Sequence, residues 1–215
     1  MAFGPISGER SLYLCHVLCE LGATAATAEF ERIDGWLERH PREVLVVFVQ
    51  DEAPAAMITA ALRESGLADQ AATLRHGEPL PTLGTLIRSG RRLVVMAENH
   101  AGAPWYPAGF TFAQDTPYAF SSVEELRTAA SCARNRGTTA APLLLVNHWI
   151  EAYPPNPRSA EIVNQPPFLL DRARRCMRER GLVPNLLAVD FVERGDVVGA
   201  AATLNRDLLE GRTTP

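Results

Sequence analysis

The chain has no surplus of positive charge: 21 Lys and Arg stand against 25 Asp and Glu, a formal net charge of −4. Without a basic field there is no counterion-release hold on a phosphate backbone, which argues against nucleic acid as a partner. There is also no apolar run near the roughly 20 residues that span a bilayer. The opening MAFGPISGER lacks the charged-then-apolar layout of a secretory signal, so the chain as written carries no address. No repeat of fixed length and no low-complexity segment occurs. Cysteine is sparse: Cys15, Cys19, Cys132 and Cys176, an even number that permits two disulfides in three connectivities. A chain of 215 residues needs no staples to bury a core. Its length fits a single domain, 1–215, of the size of an α/β barrel or doubly wound sheet.

What is present is a rhythm. EVLVVFV (43–49), RRLVVMA (91–97), PLLLVN (142–147) and NLLAVDF (185–191) are short, continuous apolar runs rich in Val and Leu, as strands covered on both faces should be. Helical patterns lie between them. Phe30, Ile33 and Leu37 recur at helical spacing over 26–39, and Ile58, Ala61, Leu62 and Ser65 do so after Pro54. Ser122 with Glu125 reads as a capping box opening a helix toward Ala130. Leu169, Ala173, Cys176 and Met177 share a face of 168–180, which Gly181 and Pro184 end, and Asp196 caps a last helix over 197–210. Strands alternating with helices predict parallel strands joined by right-handed crossovers.

In parallel α/β folds the functional groups gather at the carboxyl ends of strands. Here those ends are polar: Gln50-Asp51-Glu52, Glu98-Asn99, Asn147-His148 and Asp190, with Cys15-His16 ending a candidate strand over 11–15. The segment 100–120, HAGAPWYPAGFTFAQDTPYAF, holds six of the fifteen aromatics and has no helical period. Two readings stay open for it. It is a stiff aromatic lid or binding loop over a site or a lipid surface, or part of it near Thr111 to Ala113 is a short strand with its aromatics in the core.

Cys15, His16 and Cys19 do not make a zinc site, because four ligands are wanted and no second Cys/His cluster stands elsewhere. A local Cys15–Cys19 disulfide, with Cys132 and Cys176 as the other pair, would hold His16 in a fixed corner. His16 is then an acid/base candidate, since imidazole titrates near neutral pH. Among the other histidines, His40 and His76 sit at element ends, His100 opens the aromatic loop, and His148 ends a buried run. Asp51, Glu98 and Asp190 end three separate runs, where a lone buried carboxylate is costly without a partner. Such carboxylates hold a divalent cation or orient an imidazole.

The segments LCHVLCELGA, WLERHPREVLVVFVQDE, PTLGTLIRSGRRLVVMAEN, PWYPAGFTFAQDTPYAF, CARNRG, PLLLVNHWI and RARRCMRERGLVPNLLAVDFVERGDVV, in this order, resemble the phospholipase-C-like phosphodiesterases. More narrowly, they are similar to bacterial and fungal proteins related to the phosphatidylinositol-specific phospholipase C X domain, over about residues 12–205. The resemblance implies a (β/α)₈ TIM-barrel-like fold and cleavage of phosphodiesters, a phosphoinositide or another lipid head group, with peripheral membrane contact. In the family two histidines act as base and acid on the inositol 2-hydroxyl and the leaving oxygen, while an arginine and carboxylates, or calcium, stabilise the developing charge. On that pattern His16 is the general acid, with Asp51 and Asp190 as further catalytic groups. Glu98, Asn99, Tyr106, Asn147 and His148 are candidate substrate contacts. Relatives are commonly exported, which implies a secreted protein.

The departures are as informative as the match. The family's first strand carries a His-Asn-Ser type motif and its second an Asp-x-Arg segment, and MAFGPISGER contains neither. The expected fold is therefore a barrel incomplete at the N-terminus, lacking its first two strands. That leaves EVLVVFV as an open edge that invites pairing with another chain. Two alternatives stand beside the hydrolase: a non-catalytic scaffold or binding module, and a metal-dependent phosphodiesterase with Asp51, Glu98 and Asp190 around Ca²⁺ or Mg²⁺.

Overall fold

Residues 2–4, 11–15, 19 and 22–214 are described by a computed structural model. They fall into two compact units, Met1–Gly109 and Phe110–Pro215.

The first unit opens with an antiparallel sheet of β1 (Ala2–Gly4), β2 (Ser11–Cys15) and β3 (Ala23–Ala25), in that order across the sheet. The apolar pattern alone groups 11–15 with the parallel runs, and its pairing differs for a plain reason. The link from Cys15 to Ala23 is shorter than the dozen or so residues a parallel crossover needs, so the two strands must run antiparallel. Then come α1 (Ala26–Arg39), β4 (Leu45–Val49), α2 (Ala55–Glu64), α3 (Leu83–Ser89) and β5 (Leu93–Ala97). β4 and β5 pair in parallel from Leu45 opposite Leu93 to Val49 opposite Ala97. Phe30 and Leu37 of α1 and Ile58 and Leu62 of α2 are buried with Val49, Val95 and Ala97, as their spacing predicts. Arg92 is buried at the foot of β5 and donates to the Leu37 and His40 carbonyls, closing the end of α1. All five residues of β5 are buried; Val46 of β4 is 38% exposed.

The second unit contains β6 (Ala113–Asp115), β7 (Leu143–His148) and β8 (Pro184–Val189), all parallel and in that order. Its helices are α4 (Val123–Leu126), α5 (Pro157–Val163), α6 (Pro166–Arg180) and α7 (Val197–Leu209). α6 lays Leu169, Leu170 and Ala173 against Val197, Ala200 and Leu204 of α7. Asp196 accepts from Gly199 N and caps α7.

The helix opened by Ser122 stops after one turn. Ser122 Oγ accepts from Glu125 N, as a capping box requires, but Thr128 Oγ donates to Glu125 O, and Ser131 Oγ to Leu126 O and Thr128 O. Those hydroxyls take carbonyls that a longer helix would use, and 129–132 becomes a short 3₁₀ turn. Of the aromatic segment, Tyr106, Phe112 and Phe120 are buried; its strand, β6, begins at Ala113, the end of the stretch 111–113 expected for it, and Gly109–Thr111 forms a 3₁₀ turn. Trp105 is half-buried and Tyr118 is exposed.

The fold is mixed α/β. Among the described residues the strands form sheets of three, two and three, and no closed barrel is found. The cysteines pair as Cys15–Cys19 and Cys132–Cys176.

Candidate active site

The ends of β4 and β5 gather the first cluster, within the first unit. Because the strands are parallel and in register, the residues after Val49 and after Ala97 emerge side by side. Asp51 is fully buried. Its Oδ1 accepts from Asn99 N at 2.8 Å, and its Oδ2 from His100 N at 2.7 Å. His100 Nδ1 lies 2.7 Å from the same Oδ2, while Asn99 Nδ2 donates to the Asp51 carbonyl at 3.0 Å. An ionised carboxylate only accepts, so in the neutral ring the proton sits on Nδ1 and Nε2 carries the lone pair, on a side chain that is 58% exposed. Glu98 is half-buried, and its N donates to Val49 O.

Beyond His100 the chain turns tightly: Gly102 N donates to Tyr106 O, and Tyr106 N to Ala103 O. A Cβ on Gly102 would stand 2.9 Å from Thr59 Cγ2 and 3.2 Å from Ala55 Cβ, so the turn lies flat against the start of α2. Tyr106 fills the space behind it, with its hydroxyl buried and unpartnered. Burial first, then the charge of Asp51, pushes its phenol up, so it remains a neutral O–H.

These donors do not suit a divalent cation at Asp51. N–H groups fill both carboxylate oxygens, whereas Ca²⁺ and Mg²⁺ take oxygen ligands. Among the described residues no group of three His, Cys, Asp or Glu side chains gathers for a metal.

The second cluster lies at the ends of β6 and β7, within the second unit. Asp115, also fully buried, accepts from Arg136 N at 2.6 Å, from Arg136 Nε at 2.8 Å and Nη2 at 2.6 Å, and from Asn147 Nδ2 at 3.1 Å. Asn147 Nδ2 also donates to Thr116 O. Arg136 lies over the rings of Phe110 and Tyr118, 4.3 and 4.8 Å from their centroids. His148 is fully buried between Val163 O, 2.8 Å from Nε2, and Arg172 Nη1, 3.1 Å from Nδ1. A guanidinium only donates, so Nδ1 accepts and Nε2–H donates to Val163. Burial, then the Arg172 charge, brings the His148 pKa down to about 4, against the Val163 bond that raises it. Arg172 itself is brought down to about 9 by burial and by Arg175, and keeps its charge at neutral pH.

The sequence candidates thus sort by place. Asp51, Glu98 and Asn99 come together, with Tyr106 behind them. Asn147 and His148 are interior groups, His148 with both ring nitrogens engaged. Asp190 is half-buried past β8, beside a small crevice lined by His148, Ser159 and Asn164. The Asn164 amide donates to the carbonyls of Asp190 and Phe191 and so holds the turn that follows β8. His16 lies outside the described residues. Sequence reasoning passed over Asp115, because β6 is three residues long and its polar end carries no periodic signal, and over Arg136 and Arg172, a loop residue and a buried arginine of α6 whose partners are distant in the chain.

The family profile PI-PLC X 1 matches residues 6–205. The chain belongs to the PI-PLC X domain family. A relative from Arthroderma benhamiae (strain ATCC MYA-4681 / CBS 112371), described as PI-PLC X domain-containing protein 1, is 25% identical over 225 residues, covering 89% of this chain and 68% of the relative. No solved structure matches. The PI-PLC X match takes in both polar clusters, and in the sequence it takes in His16.

Proposed function

We propose that this PI-PLC X chain is a phosphoric diester hydrolase of phospholipase C type, acting on a phosphoinositide or another lipid head group. The observation that supports the reading is the buried Asp51 carboxylate at the end of β4, gathering the end of β5 and an outward imidazole around it. We assign proton donation to the leaving oxygen to His16, ring orientation to Asp51, and substrate contact to Glu98 and Asn99. Asp190 is a further catalytic candidate. The architecture proposed behind it is a (β/α)₈ TIM-barrel-like fold incomplete at its N-terminus, an open or partial barrel; parallel strands linked through helices within each unit support it. The two disulfides support folding in an oxidising, secretory setting.

No step in this chemistry is routed through a metal. The test is hydrolysis of phosphatidylinositol in vesicles by the full chain, with and without EDTA. We expect turnover that persists in EDTA, disappears in His16→Ala and falls about a hundredfold in Asp51→Asn, within the usual worth of a positioned proton-transfer group. A chain that hydrolyses nothing would support the non-catalytic scaffold instead. Loss of turnover in EDTA would favour the metal-dependent alternative.

A further inference from the structure

We propose that His100 is a proton-transfer residue, taking the proton of the attacking hydroxyl through Nε2 at the end of β5. The inference rests on the phosphodiesterase reading above and deepens it.

Four observations carry it. His100 and Asp51 form a buried-carboxylate, exposed-imidazole pair: the Asp51 side chain is 0% exposed and the His100 side chain 58%. The carboxylate fixes the ring at Nδ1, which sets the tautomer and leaves a basic nitrogen facing solvent, the arrangement that a general base needs. The ring is held from both ends, because the His100 backbone N–H binds the same Oδ2 as the ring does. The turn that follows is fixed against α2 by Gly102, which has no room for a side chain. Tyr106, beneath this turn, keeps an unpartnered phenol under the influence of Asp51, so polar capacity at the site exceeds what its own contacts use.

The other described histidines lack this arrangement. His148 is buried with both nitrogens engaged. His40 stacks on Trp36 at 4.4 Å and spends Nδ1 on the Trp36 carbonyl. His76 has no carboxylate bound to it among the described residues.

The step balances as follows. Water, or a hydroxyl of the substrate, gives its proton to His100 Nε2 as its oxygen bonds to phosphorus. The bond from phosphorus to the leaving oxygen breaks, and that oxygen takes a proton from a general acid, which regains one from solvent. The imidazolium then returns its proton to solvent. With water as nucleophile, one phosphodiester and one water yield a phosphomonoester and an alcohol.

The experiment uses the full chain and bis(4-nitrophenyl) phosphate as probe, comparing His100→Gln and His100→Ala with the unaltered protein. The Gln amide can still donate to Asp51 and hold the turn, but it is no base. We expect kcat to fall about a hundredfold or more in both variants, with KM changed less than about threefold, and added imidazole to restore part of the rate to His100→Ala. The melting temperature of His100→Gln should stay at the unaltered value. Unchanged kcat overturns the proposal for His100 alone. A loss that imidazole does not restore, together with a lowered melting temperature in both variants, reduces His100 to a structural tie and also overturns it. Absence of turnover by the unaltered chain overturns the phosphodiesterase reading and this inference together.

Discussion

His148 and His100 have the same side chain and opposite situations. At His100 a carboxylate accepts from the ring Nδ1–H, on a side chain that is more than half exposed. At His148 a guanidinium donates to one nitrogen and a carbonyl takes the proton of the other, with no exposed surface. The consequence for His148 is a pH dependence of stability. Its folded pKa, about 4, lies below the ordinary 6.5, so between those values the unfolded chain binds a proton that the folded one refuses. Stability is fully present above about pH 6.5, falls as pH drops toward 4, and stops falling on this account below that. The shift corresponds to a loss on the order of 3 kcal/mol. Urea unfolding at pH 7.5, 5.5 and 4.5 should show the decline, and His148→Gln should show a shallower one; equal slopes in the two proteins would contradict this account. The apolar run that ends in Asn147-His148 marks His148 as an interior residue. Nothing in the sequence points to Arg172, 24 residues away, as the group that sets its tautomer.

At the level of elements, periodicity carries far where it is long. α1 and α6 match their expected spans closely, and β4, β5, β7 and β8 lie where the apolar runs are. Short elements escape because they offer no period. α3 and α5 are seven residues each, set by caps at Thr82 and Asn156, and β6 has three residues. β6 is nevertheless tightly enclosed. Gly137, at φ +77°, brings its backbone so close that a Cβ would stand 2.2 Å from Ala113 O and 2.8 Å from Gln114 Cα. A side chain there meets rigid backbone in a conformation that favours glycine. Gly137→Ala should therefore destabilise the protein by about 3 kcal/mol or more, read as a large drop in thermal midpoint. A variant that melts with the unaltered protein would mean that the loop over 133–141 yields easily.

At the level of the whole molecule, family membership was legible because many short segments occur in one order, and a match over 6–205 depends on that order more than on any single strand. The gathering of Asp51, Asn99 and His100 was legible only in outline. Two polar strand ends can be read from the sequence, but the register that sets Val49 beside Ala97 depends on how the helices pack. Burial also separates the two disulfides. Cys15 and Cys19 are half-buried, whereas Cys132 and Cys176 are 1% and 0% exposed. Thiol exchange requires a reductant to reach sulfur, so one bridge is accessible in the native protein and the other only after local opening. Titration with a mild reductant, trapped by iodoacetamide and weighed by mass spectrometry, should give a plateau at two alkylated cysteines before four appear. Simultaneous appearance of all four would mean that the helix carrying Cys176 breathes as readily as the surface.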